Sequence, residues 1–116
     1  MTPEEVRLVM NGWLENQSQL ALVGQLWGFA LALRCRVGFV SDETVGLITS
    51  DGGKVVVGLS EEGTKFKYSE MREFSELARK LDLTPEQRFA SSLMLMFPPR
   101  DVGADLETLY FAELID

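Results

Sequence analysis

The chain has 116 residues, a formal net charge of -7 and no histidine. Its apolar share of 46% and charged share of 25% are those of an ordinary globular protein, which excludes a disordered or fibrous chain. At this length we expect a single domain that spans residues 1–116. The acidity repels nucleic acid and anionic membrane surfaces, so a protein partner or a second copy of the chain is favoured.

The single cysteine, Cys35, excludes an intrachain disulfide and a CxxC motif. Because nothing in the sequence requires an oxidising compartment, we expect a cytoplasmic protein. The longest apolar stretch, residues 20–33, is shorter than the ~20 residues that a membrane helix needs.

The first element predicted along the chain is a helix. Thr2 and Glu5 have the spacing of a capping box, and Pro3 suits the first helical position. The apolar residues that follow recur at three- and four-residue spacing and form one stripe: Val6, Val9, Met10, Trp13 and Leu14. Residues 20–27 show no clear period, so both helix and strand stay open there.

A strongly curved antiparallel β-meander of about four strands is predicted next, at residues 28–40, 44–50, 54–60 and 64–68. The first strand alternates with a period of two, and its apolar face is formed by Phe29, Leu31, Leu33, Cys35, Val37 and Phe39. The curvature follows from glycines inside the first three strands, since such glycines mark bulges, bends or close backbone approach: Gly38, Gly46 and Gly58.

Two to three helices packed on the sheet are predicted after the meander, at residues 69–82, 85–97 and possibly 105–115, which makes the fold class α+β. The segment from Thr84 to Gln87 repeats the capping-box pattern of the N-terminus. A strand stays open as an alternative for residues 93–97 and 105–115, because both segments also alternate in places.

The sequence predicts no catalytic, cofactor-binding or metal site. Without histidine, the commonest general base and the usual zinc and iron ligand sets are absent. Asp101, Asp105 and Glu107 could bind a hard cation in a carboxylate-dependent or metal-dependent enzyme, but their spacing lacks the pattern of an EF-hand loop. Roles in loops and helix caps account for them more simply, and the sequence favours a protein that is not an enzyme.

A basic sheet face is the first candidate binding surface. Arg34 and Arg36 on the first strand share their alternation phase with Lys65 and Lys67 on the fourth. If the sheet curls until these strands approach, the four cations could bind an anionic ligand or a nucleic acid. The alternative is a solvated face on which the lysines protect an edge strand from aggregation.

The aromatic C-terminal region is the second candidate surface, and it carries the leading interpretation. The chain has more large aromatic residues than a small core hides, so we expect a protein interface that includes Phe97, Leu109, Tyr110 and Phe111. The protein is therefore predicted to be a non-enzymatic interaction module of the adaptor, chaperone or immunity type, with a homodimer as one form.

Overall fold

The structure of the chain is a computed structural model, and it describes residues 1–26, 29–59, 62–69, 88–98 and 107–115. These residues form one helix and one seven-stranded sheet. The elements in chain order are α1 (Pro3–Glu15), β1 (Leu20–Leu26), β2 (Phe29–Val40), β3 (Thr44–Thr49), β4 (Lys54–Gly58), β5 (Lys65–Ser69), β6 (Arg88–Phe97) and β7 (Glu107–Ile115).

All seven strands belong to one antiparallel sheet with the order β4-β3-β2-β1-β7-β6-β5. The predicted hairpins between β2, β3 and β4 are present, but the predicted four-stranded meander is wrong as a whole. Its last strand, β5, does not follow β4 in the sheet; it lies at the opposite edge and pairs with β6.

The predicted C-terminal helices are also contradicted. Arg88–Phe97, within the predicted helix 85–97, is strand β6, and Glu107–Ile115, within the possible helix 105–115, is strand β7. The predicted helix 69–82 lies outside the described residues except for Ser69, which ends β5. The open segment 20–27 is strand β1 as far as Leu26.

The ambiguity of residues 20–27 and the wrong helix prediction for β7 have a common physical cause, which is that β1 and β7 lie in the middle of the sheet. Leu20, Ala21 and Leu22 are consecutive residues of β1, and all are buried. In β7, Phe111 and Ala112 are adjacent and both are fully buried. A strand with apolar side chains on both faces loses the alternation that identifies a strand in sequence.

Helix α1 begins as the sequence predicts and covers one face of the sheet, the inner face. The Thr2 N–H donates to Glu5 Oε1 at 2.9 Å, and the Glu5 N–H donates to Thr2 Oγ1 at 3.2 Å, which completes the capping box. The helix buries Val6, Met10 and Trp13. Trp13 packs against Phe111 of β7 with the ring centroids 6.5 Å apart.

The inner face forms the main core, to which six of the seven strands contribute buried residues and β5 contributes the partly buried Phe66. The opposite face is called the outer face here. Its middle part, over β1, β7 and the start of β6, carries a smaller buried cluster of Ala21, Val23, Phe89 and Ala112. Toward β4 the outer face is exposed, and the candidate site lies there.

Among the described residues, no helix has the length and apolar character needed to cross a bilayer.

Candidate functional site

A bulge in β2 creates the surface that stands out on the outer face. Val37 pairs with Leu47, but the next paired residue is Phe39, which lies opposite Gly46. The extra residue, Gly38, shifts the alternation, so that Val40 takes the inward position that regular alternation predicts for Phe39. Phe39 therefore turns to the outer face, where 47% of it is exposed.

The ring of Phe39 lies directly on the backbone of Gly46. A Cβ atom added to Gly46 would be 2.0 Å from Cε1 and 2.3 Å from Cδ1 of the ring. Gly46 is buried although it faces outward, since the ring covers it. One side of the ring is thus held against β3, and the other side is left available to a partner.

Three cations lie on the same outer face as this ring. Arg34 and Arg36 alternate with the buried residues Cys35 and Val37, so both guanidinium groups are on the outer face and exposed. Lys54 of β4 reaches the same face, because Arg36 pairs with Ile48 and Ile48 pairs with Lys54. Arg36 and Lys54 are two strands apart, so their Cα atoms are about 10 Å apart in the direction perpendicular to the strands.

Val56 completes this surface, and 61% of it is exposed. It pairs with Gly46, which in turn pairs with Phe39, so the three residues form the row next to the row of Arg36 and Lys54. We define the outer basic patch as Arg34, Arg36, Phe39, Lys54 and Val56. Within the described part of the chain, none of its three cations forms an ion pair or a side-chain hydrogen bond.

The structure does not bring the four predicted basic residues together. Lys65 and Lys67 are exposed on β5, and three strands separate β5 from β2. Four strand spacings correspond to about 19 Å along the sheet. The outer buried cluster lies between the two pairs. Arg34 and Arg36 therefore join Lys54, which sequence reasoning missed, while Lys65 and Lys67 lie on an edge strand.

The predicted C-terminal interface residues mostly face the protein interior. Leu109 and Phe111 are 2% and 0% exposed in the inner core, and Phe97 packs against that core while remaining partly exposed. Tyr110 points to the other face, half-buried against the outer cluster. This placement disfavours a contact surface built on these four residues and directs attention to the outer basic patch.

Two further polar groups have structural partners. Glu113 of β7 accepts hydrogen bonds from Ser18 Oγ at 2.6 Å and from Ser91 Oγ at 3.4 Å, which ties the segment after α1 to β7 and β6. Asp51 accepts from the Thr49 hydroxyl and from the Gly53 N–H, and these bonds hold its pKa below the ordinary value. Both carboxylates are therefore engaged in local structure.

The remaining candidates for chemistry are Cys35 and the acidic residues of the C-terminal segment. Cys35 is buried in the inner core, and burial raises the pKa of its thiol to about 12, so it is not a nucleophile in the folded protein. Asp101 and Asp105 lie outside the described residues, and Glu107 begins β7. Among the side chains that the structure describes, no three ligand-type groups come together to hold a metal ion.

No family model, curated protein or solved structure matches this chain. The assignment of a function therefore depends on the chemistry of the outer basic patch.

The outer basic patch combines unpaired charge with exposed apolar area. Arg34 and Arg36 offer planar donor groups suited to carboxylates, and Lys54 adds a third cation. Phe39 and Val56 offer apolar contact beside these charges, on strands that are fixed by their neighbours in the sheet. Such a surface can bind an extended acidic segment that also carries apolar side chains.

Proposed function

We propose that the protein is a non-enzymatic protein-interaction module that binds an acidic, partly apolar segment of its partner on the outer basic patch. The observation that carries this proposal is a sheet face with an exposed phenylalanine and three cations that form no ion pair within the described part of the chain. Arginine and aromatic residues are enriched where protein interfaces have their largest binding energies.

The overall charge of -7 does not oppose this proposal at close range. At physiological ionic strength the Debye length is about 8 Å, so charges farther than this from a bound segment are largely screened. The patch is formed by β2, β3 and β4, whose strand residues carry no acidic side chain on the outer face. Arg34, Arg36 and Lys54 are thus the charged strand residues on this face, while the acidic Asp51 lies in the adjacent turn between β3 and β4.

The test compares two double charge reversals on the same sheet face. The probe is a fluorescein-labelled peptide in which glutamate alternates with valine, and its binding is measured by fluorescence anisotropy at several salt concentrations. The R34E/R36E variant is expected to lose at least about tenfold in affinity, since two charge-assisted contacts are worth more than 1.4 kcal/mol. The matched control, K65E/K67E, makes the same charge change on β5 and is expected to bind as the wild type does.

Two results would refute the proposal. One is the absence of saturable peptide binding by the wild type at low ionic strength. The other is an equal loss of affinity in both double variants, because that would show that binding depends on the net charge of the protein and not on Arg34 and Arg36. Circular dichroism of each variant establishes that the fold is retained, which is expected because all four substituted residues are exposed.

A second candidate function is the binding of an anionic small ligand or a single-stranded nucleic acid on the same surface. The free side of the Phe39 ring, next to Arg36, favours it, because bases stack on aromatic rings beside cations. Titration with nucleotides and with a short single-stranded oligonucleotide tests this candidate. Binding that weakens with salt and is abolished in Phe39→Ala supports it, and no signal at low ionic strength rules it out.

The cytoplasmic location remains a prediction. Fractionation of cells that express the full chain with a small C-terminal tag would test it, and a tagged chain found outside the cytoplasm would contradict it.

A further inference from the structure

Strand β4 lies at one edge of the sheet, where a row of its backbone groups has no partner among the described residues. The Thr49 N–H donates to Gly53 O at 2.8 Å, and the Leu59 N–H donates to Glu43 O at 2.7 Å. In an antiparallel pair of strands, every second pair of opposite residues is hydrogen-bonded. Counting from these two bonds, Val55 and Val57 belong to the hydrogen-bonded pairs, so their backbone groups point toward β3. The N–H and C=O groups of Lys54, Val56 and Gly58 consequently point away from the sheet.

The two edge strands differ in how well they are protected against pairing. On β5, Lys65 and Lys67 are both exposed, and alternating lysines discourage the approach of another strand. On β4, the middle residue is the exposed Val56, which is flanked by Val55 and Val57. A β-branched run with open backbone groups is a template for strand addition.

We propose that β4 pairs with β4 of a second copy of this chain, in antiparallel orientation, around a two-fold axis at Val56. Val56 then lies opposite Val56 of the second copy, and Lys54 lies opposite Gly58 of the second copy. The two seven-stranded sheets become one continuous sheet across the axis. This inference concerns the β4 edge, and it uses the backbone groups of Lys54 and Val56, whose side chains also belong to the outer basic patch.

This register satisfies all the outward backbone groups of the strand. The outward residues 54, 56 and 58 of one copy meet 58, 56 and 54 of the other, so each of the three pairs exchanges two hydrogen bonds. A shift of the register by two residues leaves one of the three outward residues of each strand unpaired. A shift by one residue places outward groups against groups that already bond to β3.

The side chains are self-complementary in the same register. Lys54 comes to lie over Gly58 of the second copy, where a Cβ atom would find no atom within 4 Å. Gly58 pairs with Thr44, and the exposed residues Asp42 and Glu43 directly precede Thr44 in the chain. The two Lys54 residues are offset by four residues along the strand direction, which separates them by about 14 Å. At this distance salt screens most of their repulsion.

The contact is small, which sets the expected strength of the dimer. A pair of five-residue strands buries less than the roughly 1,200 Å² of a standard interface, so the dimer is concentration-dependent. Its consequence is that the two outer basic patches lie side by side on one face. A partner with two acidic segments then binds more tightly than a partner with one.

Cysteine cross-linking tests both the pairing and its register, because the native Cys35 is buried and does not interfere. Residues in a hydrogen-bonded antiparallel pair have Cα atoms about 5.5 Å apart, a separation that a disulfide spans. Under mild oxidation, Val56→Cys is expected to form a covalent dimer by itself. Lys54→Cys is expected to form one only when mixed with a tagged Gly58→Cys chain.

The matched control is Lys67→Cys, which places a thiol on the other edge strand. Sedimentation equilibrium of the wild type is expected to show a monomer–dimer equilibrium, with the dissociation constant raised roughly tenfold in Val56→Lys through like charges at the axis. The proposal is overturned if Val56→Cys cross-links no faster than Lys67→Cys. It is also overturned if Lys54→Cys alone cross-links as fast as the mixture, or if the wild type is monomeric throughout.

Discussion

The contact between Phe39 and Gly46 leads to a prediction that can be worked out from the geometry. In Gly46→Ala, the new methyl group would lie 2.0 Å from one atom of the Phe39 ring, whereas ordinary contacts are 3.4–4 Å. The ring must therefore leave its place on β3 by more than ~1 Å, because the backbone of the paired strands is fixed. We expect this ring displacement to cost free energy of unfolding and to disturb the outer basic patch.

The size of the change in the free energy of unfolding in Gly46→Ala follows from two opposing effects. Overpacking costs about 1–3 kcal/mol, and the lower end applies because the half-exposed ring can rotate into solvent. Replacement of glycine by alanine within a strand returns up to about 0.5–1 kcal/mol of backbone entropy. With Phe39→Ala already present, only the second effect remains, so the coupling energy between the two substitutions is expected to be about 1–2 kcal/mol.

Urea denaturation of the wild type, both single variants and the double variant measures this coupling. The matched control is Gly58→Ala, since Gly58 lies on the neighbouring strand and has no atom within 4 Å of its Cβ position. Gly58→Ala is expected to be neutral or slightly stabilising. Equal stability of Gly46→Ala and Gly58→Ala, or additive effects in the double variant, would refute the proposed position of the ring.

Three other predictions concern the core, the thiol and one hairpin. Phe111→Ala removes a fully buried ring that packs on Trp13, so the free energy of unfolding should fall by about 3–5 kcal/mol in urea titrations. Cys35 should resist a thiol-reactive disulfide reagent at pH 8 in the folded protein and react at once in urea, because its pKa is raised to about 12. Asp51→Ala should lower the melting temperature at neutral pH. Because the folded-state pKa of Asp51 lies below the unfolded value, this difference should shrink as the pH falls below about 4.

The parts of the fold that the sequence predicted correctly are those with local causes. The capping box of Thr2 and Glu5 depends on residues three positions apart, and the structure contains both of its hydrogen bonds. The turn between β3 and β4 depends on Gly52, whose φ is +88°, and on the side chain of Asp51. These interactions are complete within a few residues, so sequence alone contains the required information.

The parts that it missed depend on partners far away along the chain. The run from Arg88 to Phe97 has a capping-box pattern before it, but pairing with β5 and β7 determines its conformation. Tertiary pairing overrides local preference where a segment is apolar enough to be buried in either form. The order of the strands in the sheet, which separates β2 from β5, also could not be predicted from the sequence.

The outer basic patch was partly within reach of sequence analysis. The alternation of β2 placed Arg34 and Arg36 on the outer face, as the structure has them. Gly38 predicts a bulge, a bend or a close backbone approach, whereas regular alternation places Phe39 on the apolar face. The bulge in the structure reverses the orientation of the later residues of the strand, so the prediction for Phe39 is wrong. Lys54 and Val56 required the register between β3 and β4, which only the structure provides.

The position of β7 between β1 and β6 has a consequence for how the chain acquires its structure. Strands β1 to β4 are joined by short connections and can pair as they emerge from the ribosome, since contacts between near neighbours form fastest. β1 keeps an open edge until β7 arrives, because Leu20 pairs with Glu113, which is far along the chain. A nascent chain without β7 thus exposes an apolar strand at the centre of its future sheet, and we expect it to aggregate or to bind chaperones.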